Sequence, residues 1–121
     1  MTRILVVDDE EETCRFLEEF LTSKGYQVFC AAEFEEALRL VKQERPHLVL
    51  LDIRMPGRDG ISLLSEIKGI DREIGVMMVT AVKEDEIAKE AMRKGADGYI
   101  TKPIDLEYLE TNILVKLILQ K

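Results

Sequence analysis

The sequence predicts an α/β fold: a doubly wound, five-stranded parallel sheet with five flanking helices. Three observations predict it. Five short apolar runs alternate with five stretches of helical periodicity. The runs are near-continuous rather than alternating, as suits strands buried on both faces of a parallel sheet. Strict strand–helix alternation over 121 residues fills one domain with right-handed crossovers, so residues 1–121 read as a single domain.

The elements follow in order. Ile4–Val7 is the first run, closed by Asp8 and Asp9. The helix after it carries Phe16, Leu17, Phe20 and Leu21 on one face. Val28–Ala31 is the second run, and Phe34, Ala37, Leu38 and Val41 follow at i, i+3, i+4, i+7. Pro46 stops that helix. Leu48–Ile53 is the third run, with Asp52 near its end; Asp59 reads as the cap of a helix marked by Leu63, Leu64 and Ile67. Val76–Thr80 is the fourth run, with Met77 and Met78 in the core, and Ile87, Ala88, Ala91 and Met92 mark the fourth helix. Gly98–Thr101 is the fifth run, and Leu106, Leu109, Ile113 and Leu117 begin the last stripe. Gly25 and Gly95 stand just past helix ends, where a left-handed residue is wanted. Lys24, Arg93 and Lys94 place positive charge at the same ends, which suits the helix dipole.

Composition excludes several classes. A hydrophobic fraction of 46% is enough for a real core and argues against disorder. A net charge of −7, from 24 acids against 17 bases, argues against direct nucleic-acid binding. Cys14 and Cys30 show neither CxxC nor metal-ligand spacing and read as buried thiols of a reducing compartment. No apolar run approaches the roughly 20 residues of a membrane span. The N-terminus runs straight into the first strand without a signal peptide. The expectation is a cytoplasmic protein with no membrane contact.

In open α/β sheets, ligands bind beyond the carboxyl ends of the strands. Strand one ends in Asp8 and Asp9, strand three in Asp52, strand four in Thr80, and strand five in Thr101-Lys102-Pro103. Strand two ends in Cys30 and Ala31, with no charged group. If strands one and three are neighbours, three carboxylates meet and need either protons or a cation. Mg²⁺ prefers hard oxygen ligands and suits one or two carboxylates plus a phosphate oxygen. Lys102 adds a fixed positive charge and Thr80 a hydroxyl donor. An acidic nucleophile, a metal, a lysine and a hydroxyl can transfer a phosphoryl group, because that transition state needs mainly positioning and charge neutralisation. Asp52 is then the nucleophile and becomes an acyl phosphate.

Several motifs stand in one order: Asp8-Asp9; Leu51-Asp52-Ile53-Arg54-Met55-Pro56-Gly57 with Asp59-Gly60; Thr80-Ala81; Lys94-Gly95-Ala96; and Tyr99 with Lys102-Pro103. Together they resemble the receiver domains of response regulators, the CheY-like family of two-component signalling, over the whole chain. The resemblance implies strand order 2-1-3-4-5, as in flavodoxin-like folds, which sets Asp8, Asp9 and Asp52 side by side. It implies Asp52 as phosphoacceptor and metal ligand, Asp9 as a direct ligand, Asp8 as a helper through water, and the backbone carbonyl of Arg54 as the third protein ligand. Thr80 donates to one phosphoryl oxygen, Lys102 pairs with another, and the Lys102–Pro103 peptide is cis. The implied cofactor is Mg²⁺, with Mn²⁺ as an alternative.

The implied partners are a sensor histidine kinase or phosphotransfer protein upstream and an effector protein or domain downstream, with room for a homodimer of the phosphorylated form. The chain would be a phosphoprotein and no enzyme beyond its own phosphorylation and dephosphorylation. The resemblance couples Thr80 to the aromatic Tyr99, which turns from exposed to buried, and puts the output face on helix four, strand five and helix five, with Met92, Tyr99 and Tyr108. Two further positions, Arg54 and Val82, tune phosphoryl lifetime. Val82 offers no polar group to orient water and Arg54 can cover the crevice mouth, so slow self-hydrolysis is expected.

Plainer readings compete residue by residue. Asp8 or Asp9 alone reads as a helix cap. Glu10, Glu11 and Glu12 read as solvated acids in a first helical turn. His47 lies at the opposite end of the sheet and reads as structural or exposed; Arg58 and Arg72 read as surface residues. The last helix carries Ile113, Leu114, Val115, Leu117, Ile118 and Leu119, more than one apolar stripe, which self-association, a partner or a following helix would cover. A haloacid-dehalogenase-type phosphatase would need an Asp at position 54, where this chain has Arg. A flavodoxin-like FMN carrier would need a Ser/Thr/Gly loop where this chain has Asp-Asp-Glu-Glu-Glu. A receiver that never binds phosphate would lack Asp52, Lys102 or one of the acidic pair. A longer transcriptional regulator or hybrid kinase that includes this receiver is the alternative setting.

Overall fold

A computed structural model describes residues 1–55 and 58–120; Pro56 and Gly57 of the acceptor motif lie outside the described residues. The elements are β1 (Arg3–Val7), α1 (Glu11–Ser23), β2 (Gln27–Ala31), α2 (Phe34–Glu44), β3 (Leu48–Leu51), α3 (Gly60–Ile70), β4 (Gly75–Thr80), α4 (Asp85–Arg93), β5 (Gly98–Thr101) and α5 (Leu106–Leu119). All strand pairings are parallel and the order is β2-β1-β3-β4-β5, as expected. Val7 pairs with Ala31 and Leu51, Leu51 with Met78, and Thr80 with Thr101. Those registers bring the strands' carboxyl ends to one rim.

Strand side chains alternate between two apolar layers. Leu5, Val7, Val49, Leu51, Val76 and Met78 pack with Phe34, Ala37, Val41, Leu63, Leu64 and Ile67 of α2 and α3. On the other face Ile4, Val6, Leu48, Leu50, Met77, Val79 and Ile100 pack with Leu17 and Leu21 of α1 and with Leu109 and Ile113 of α5. Every residue of β3 and β4 is buried, which explains their unbroken apolar sequence. Each fully buried Leu or Ile contributes about 1.5–3 kcal/mol.

The structure corrects some boundaries and faces. β3 ends at Leu51, two residues earlier than the apolar run: Asp52 N–H still donates to Val7 O at 3.0 Å, and the chain then bends at Ile53. Phe16 is 49% exposed, because Cys14, Leu17 and Leu21 occupy the inward stripe of α1 and Phe16 falls beside it. Cys30 is only half-buried, while Cys14 is buried. Gly25 (φ 94°) and Gly95 (φ 108°) take the left-handed conformation expected after helices, whereas α2 ends with Arg45 itself left-handed (φ 48°) ahead of Pro46. Among the described residues, no helix is long and apolar enough to cross a membrane.

Candidate functional site

Among the described residues the buried polar side chains are Asp8, Asp52 and Thr80, and all three sit at the carboxyl ends of adjacent strands. Burying a charge is costly unless it is paired, so their clustering marks this rim. Asp8 follows β1 and Asp52 follows β3. Carboxylate oxygens of Asp8, exposed Asp9 and Asp52 lie within 4.8 Å of one another. They line or adjoin a crevice of about 770 Å³ bordered by Asp9, Glu10, Asp52, Arg54, Arg58 and Lys102.

Lys102 reaches into this cluster from beyond β5, next to a cis Lys102–Pro103 peptide. Its Nζ donates to Asp8 Oδ2 at 2.7 Å, Asp52 Oδ2 at 3.1 Å and Glu10 Oε1 at 3.1 Å. Burial would lower the ammonium's pKa, but these three carboxylates outweigh it and hold Lys102 above its ordinary range. Burial pushes the Asp8 carboxyl above its ordinary value, against the pull of Lys102 and of the Glu10 N–H, which donates to Asp8 Oδ1 at 2.9 Å. One lysine therefore faces four acids, an excess of negative charge that a divalent cation would relieve. The donor set fits Mg²⁺, which takes hard oxygen ligands.

The acceptor loop is fixed by two contacts. Arg54 N–H donates to Asp52 Oδ1 at 3.2 Å, and Gly60 N–H donates to Ile53 O at 2.7 Å. Gly60 can only be glycine here, since a Cβ would collide with the Asp52 carbonyl oxygen and approach Ile53 Cα at 2.7 Å. Asp59 caps α3 as expected, accepting from Ser62 N–H at 2.8 Å.

A family profile described as "Response regulator receiver domain" matches residues 4–114. The chain belongs to this family. The receiver domain is 41% identical over 120 residues to the Escherichia coli (strain K12) Regulatory protein AtoC, covering 99% of this chain and 26% of that protein, so it spans about a quarter of that relative. It is 42% identical to the Bacillus subtilis (strain 168) Sporulation initiation phosphotransferase F, covering 87% of this chain and 85% of that protein. A solved CheY-like response regulator receiver domain protein from Methanospirillum hungatei JF-1 superposes with TM-score 0.96 at 32% identity, covering 99% of this chain and 96% of that one.

In this receiver domain the sequence-predicted residues fall into two groups. Asp8, Asp9, Asp52 and Lys102 meet directly, with Arg54 beside them. Thr80 lies behind the crevice wall, fully buried, and Ala81 lines the wall instead. The Thr80 hydroxyl oxygen accepts from Val82 N–H at 3.3 Å, and Tyr99 O–H donates to Val82 O at 2.7 Å. Tyr99 is half-buried against the core, and burial, with Glu84 and Asp52, raises its hydroxyl's pKa, so it is a donor at neutral pH. Met92 and Tyr108 are exposed, as are Leu114, Val115, Ile118 and Leu119 of α5.

Sequence reasoning missed the partners of two residues and one geometry. Glu10 is not merely solvated; it is the third acid on Lys102. Arg58 is a surface residue as read, but with partners: it stacks on Phe34 at 3.7 Å, pairs with Glu66 at 3.0 Å and Glu35 at 3.4 Å, and borders the crevice. Neither Asp8 nor Asp9 caps α1; Glu10 is the N-cap residue and makes no side-chain cap bond, while Asp8 turns back to hold the Glu10 N–H. His47 lies at the opposite rim, exposed, where its Nδ1 accepts from Arg3 N–H at 3.0 Å.

Proposed function

We propose that Asp52 is the phosphoacceptor of this receiver domain and that the crevice transfers a phosphoryl group to it from a histidine kinase, a phosphotransfer protein or a small acyl phosphate. The observation that carries this reading is the meeting of two buried carboxylates, Asp8 and Asp52, with Asp9 and Lys102 at the ends of neighbouring strands. Asp9, Asp52 and the Arg54 carbonyl would hold Mg²⁺ (or Mn²⁺), with Asp8 acting through water, and the ion supplies positive charge against the phosphoryl oxygens.

The Asp52 carboxylate attacks phosphorus, and the bond to the donor's leaving group breaks. Lys102, already 3.1 Å from Asp52 Oδ2, keeps its positive charge and pairs with an equatorial phosphoryl oxygen as charge develops there. The Thr80 hydroxyl, whose oxygen is held by the Val82 N–H, has its own hydrogen free for another phosphoryl oxygen. Movement of Thr80 then reaches Tyr99 through Val82, which each of them hydrogen-bonds. On this reading the output lies on α4, β5 and α5, and the exposure of Met92 and Tyr108 supports contact there with an effector or a second phosphorylated copy. The chain catalyses nothing beyond its own phosphorylation and dephosphorylation. The Val82 side chain is buried and apolar, so no group there orients attacking water, and the acyl phosphate is long-lived.

The test is an intact mass after incubation with acetyl phosphate and Mg²⁺. One phosphoryl group is expected on the wild type and none on Asp52→Asn, with decay slower than seconds and faster in Val82→Gln. Uptake that persists in Asp52→Asn contradicts the assignment, and steady phosphate release would favour a phosphatase.

A further inference from the structure

Arg58 stands at the far end of the loop that carries Asp52 and Arg54, and its side chain leaves that loop altogether. The guanidinium lies over the ring of buried Phe34, 3.7 Å from its centre. Nη2 donates to Glu66 Oε2 at 3.0 Å and Nη1 to Glu35 Oε1 at 3.4 Å. Phe34 and Glu35 open α2, and Glu66 belongs to α3, so one side chain ties the loop to two helices. Either half-exposed ion pair alone would contribute little. A stacked plane with a carboxylate at each of two nitrogens is held in one orientation, which an ammonium would not match.

The restraint has a short path to the acceptor. Arg58 is followed by Asp59, which caps α3, and by Gly60, whose N–H holds Ile53 O at 2.7 Å. That carbonyl belongs to the same planar peptide as the Arg54 N–H, which donates to Asp52 Oδ1 at 3.2 Å. Gly60 has no slack, since a Cβ there would meet the Asp52 carbonyl and Ile53 Cα. We propose that Arg58 is a positioning residue for divalent-cation binding, which clamps the acceptor loop to α2 and α3 and so orients the Asp52 carboxylate and the Arg54 carbonyl. A shift at residue 58 passes through Gly60 to the Ile53–Arg54 peptide and turns the carboxylate that this peptide holds. The proposal rests on the reading of Asp52 as phosphoacceptor and metal ligand. Its sign sets it apart from a simple charge effect. As a bare charge on the crevice wall, Arg58 would oppose a cation, and its removal would tighten metal binding. As a clamp it favours the cation, and its removal weakens binding.

Mg²⁺ is titrated calorimetrically into the full chain as wild type, Arg58→Met and Arg58→Lys. Asp97→Ala, which breaks an ion-paired cluster at the opposite rim, is the control. Arg58→Met keeps apolar cover on Phe34 but loses the stack and both acids. It should bind Mg²⁺ roughly three- to fivefold more weakly, less than the loss of a direct partner of a metal ligand would cost. Arg58→Lys keeps the charge but not the plane and should fall between Arg58→Met and wild type, while Asp97→Ala should match wild type. In acetyl phosphate uptake by Arg58→Met, the Mg²⁺ concentration for half-maximal rate should rise by the same factor, with the rate at saturating Mg²⁺ within about twofold of wild type. Equal or tighter Mg²⁺ binding by Arg58→Met would overturn the positioning role, and so would a rate loss that saturating Mg²⁺ does not restore. Absent uptake in a wild type that still binds Mg²⁺ more tightly than Arg58→Met would instead contradict the phosphoacceptor reading and leave the clamp standing.

Discussion

The two rims of the sheet handle buried charge in opposite ways. At the amino-terminal rim, cations outnumber the buried acid. Asp97 accepts from Val76 N–H at 2.8 Å, Lys116 Nζ at 2.9 Å and Lys68 Nζ at 3.0 Å, so one acid has two lysines. Burial works against the Asp97 anion, yet these three donors outweigh it and hold the carboxyl below its ordinary value. Arg3 covers the Glu44 and Arg45 carbonyls at the end of α2, and Gln120 donates to His47 O. At the carboxyl-terminal rim, three acids share Lys102 with a fourth, Asp9, beside them, and the Asp8 carboxyl is pushed up rather than down. The comparison teaches that ion pairing as such does not mark a site. A cluster with cations to spare closes the fold; one with acids to spare stores a demand for a cation.

Four outcomes would sharpen or break this contrast. The largest concerns the metal. At a Mg²⁺ concentration a hundredfold above Kd, the wild type should gain about 2.7 kcal/mol of stability, read as a higher thermal midpoint. Asp97→Ala should keep that gain, and Asp9→Asn at the same Mg²⁺ concentration should retain about 1.4 kcal/mol of it or less. Next, Asp97→Ala should cost about 2 kcal/mol in urea unfolding, because it takes the acceptor from Lys116 and the Val76 N–H and leaves Lys68 with only backbone carbonyls. Equal stability to wild type would show that the amino rim is not a structural clasp.

The third outcome is a pH dependence. The folded carboxyl of Asp97 lies below its unfolded value of 3.8, so its contribution is present above that value and is lost as pH falls through the depressed folded one. The gap between wild type and Asp97→Ala should be full at about pH 6 and narrower at about pH 3, by denaturation at each pH. A gap that widens in acid would reverse the sign of the account. The smallest effect belongs to Glu10→Gln. Its side chain is 64% exposed, so folding stability should change by less than ~0.5 kcal/mol, with phosphoryl uptake within roughly threefold of wild type. A larger loss would make Glu10 an essential partner of Lys102.

The legible part of the site was the part written at strand ends. Asp8, Asp9, Asp52 and Lys102 each stand at or within two residues of an apolar run's end, and parallel pairing then carries them to one rim. Thr80 was legible as a strand-terminal hydroxyl, but its bond to the Val82 N–H depends on the turn after β4. Glu10 and Arg58 were hidden because neither ends a strand. Their partners, Lys102 and Phe34, come from distant elements, and a charge in a loop reads as solvated until packing says otherwise. The Asp97 cluster joins α3, α5 and the starts of β4 and β5, so no local spacing announces it. Phe16 misled because its bulk suggested the core, where one position on a helix separates the buried stripe from solvent.

The central claim is that unbalanced charge at the carboxyl rim is what holds a divalent cation beside Asp52. Calorimetric titration of Mg²⁺ into the wild type, Asp9→Asn and Asp97→Ala tests it most directly. One ion per chain is expected for wild type and Asp97→Ala with similar affinity, and at least tenfold weaker binding, about 1.4 kcal/mol, for Asp9→Asn. Equal affinity in Asp9→Asn, or loss of binding in Asp97→Ala, would contradict it.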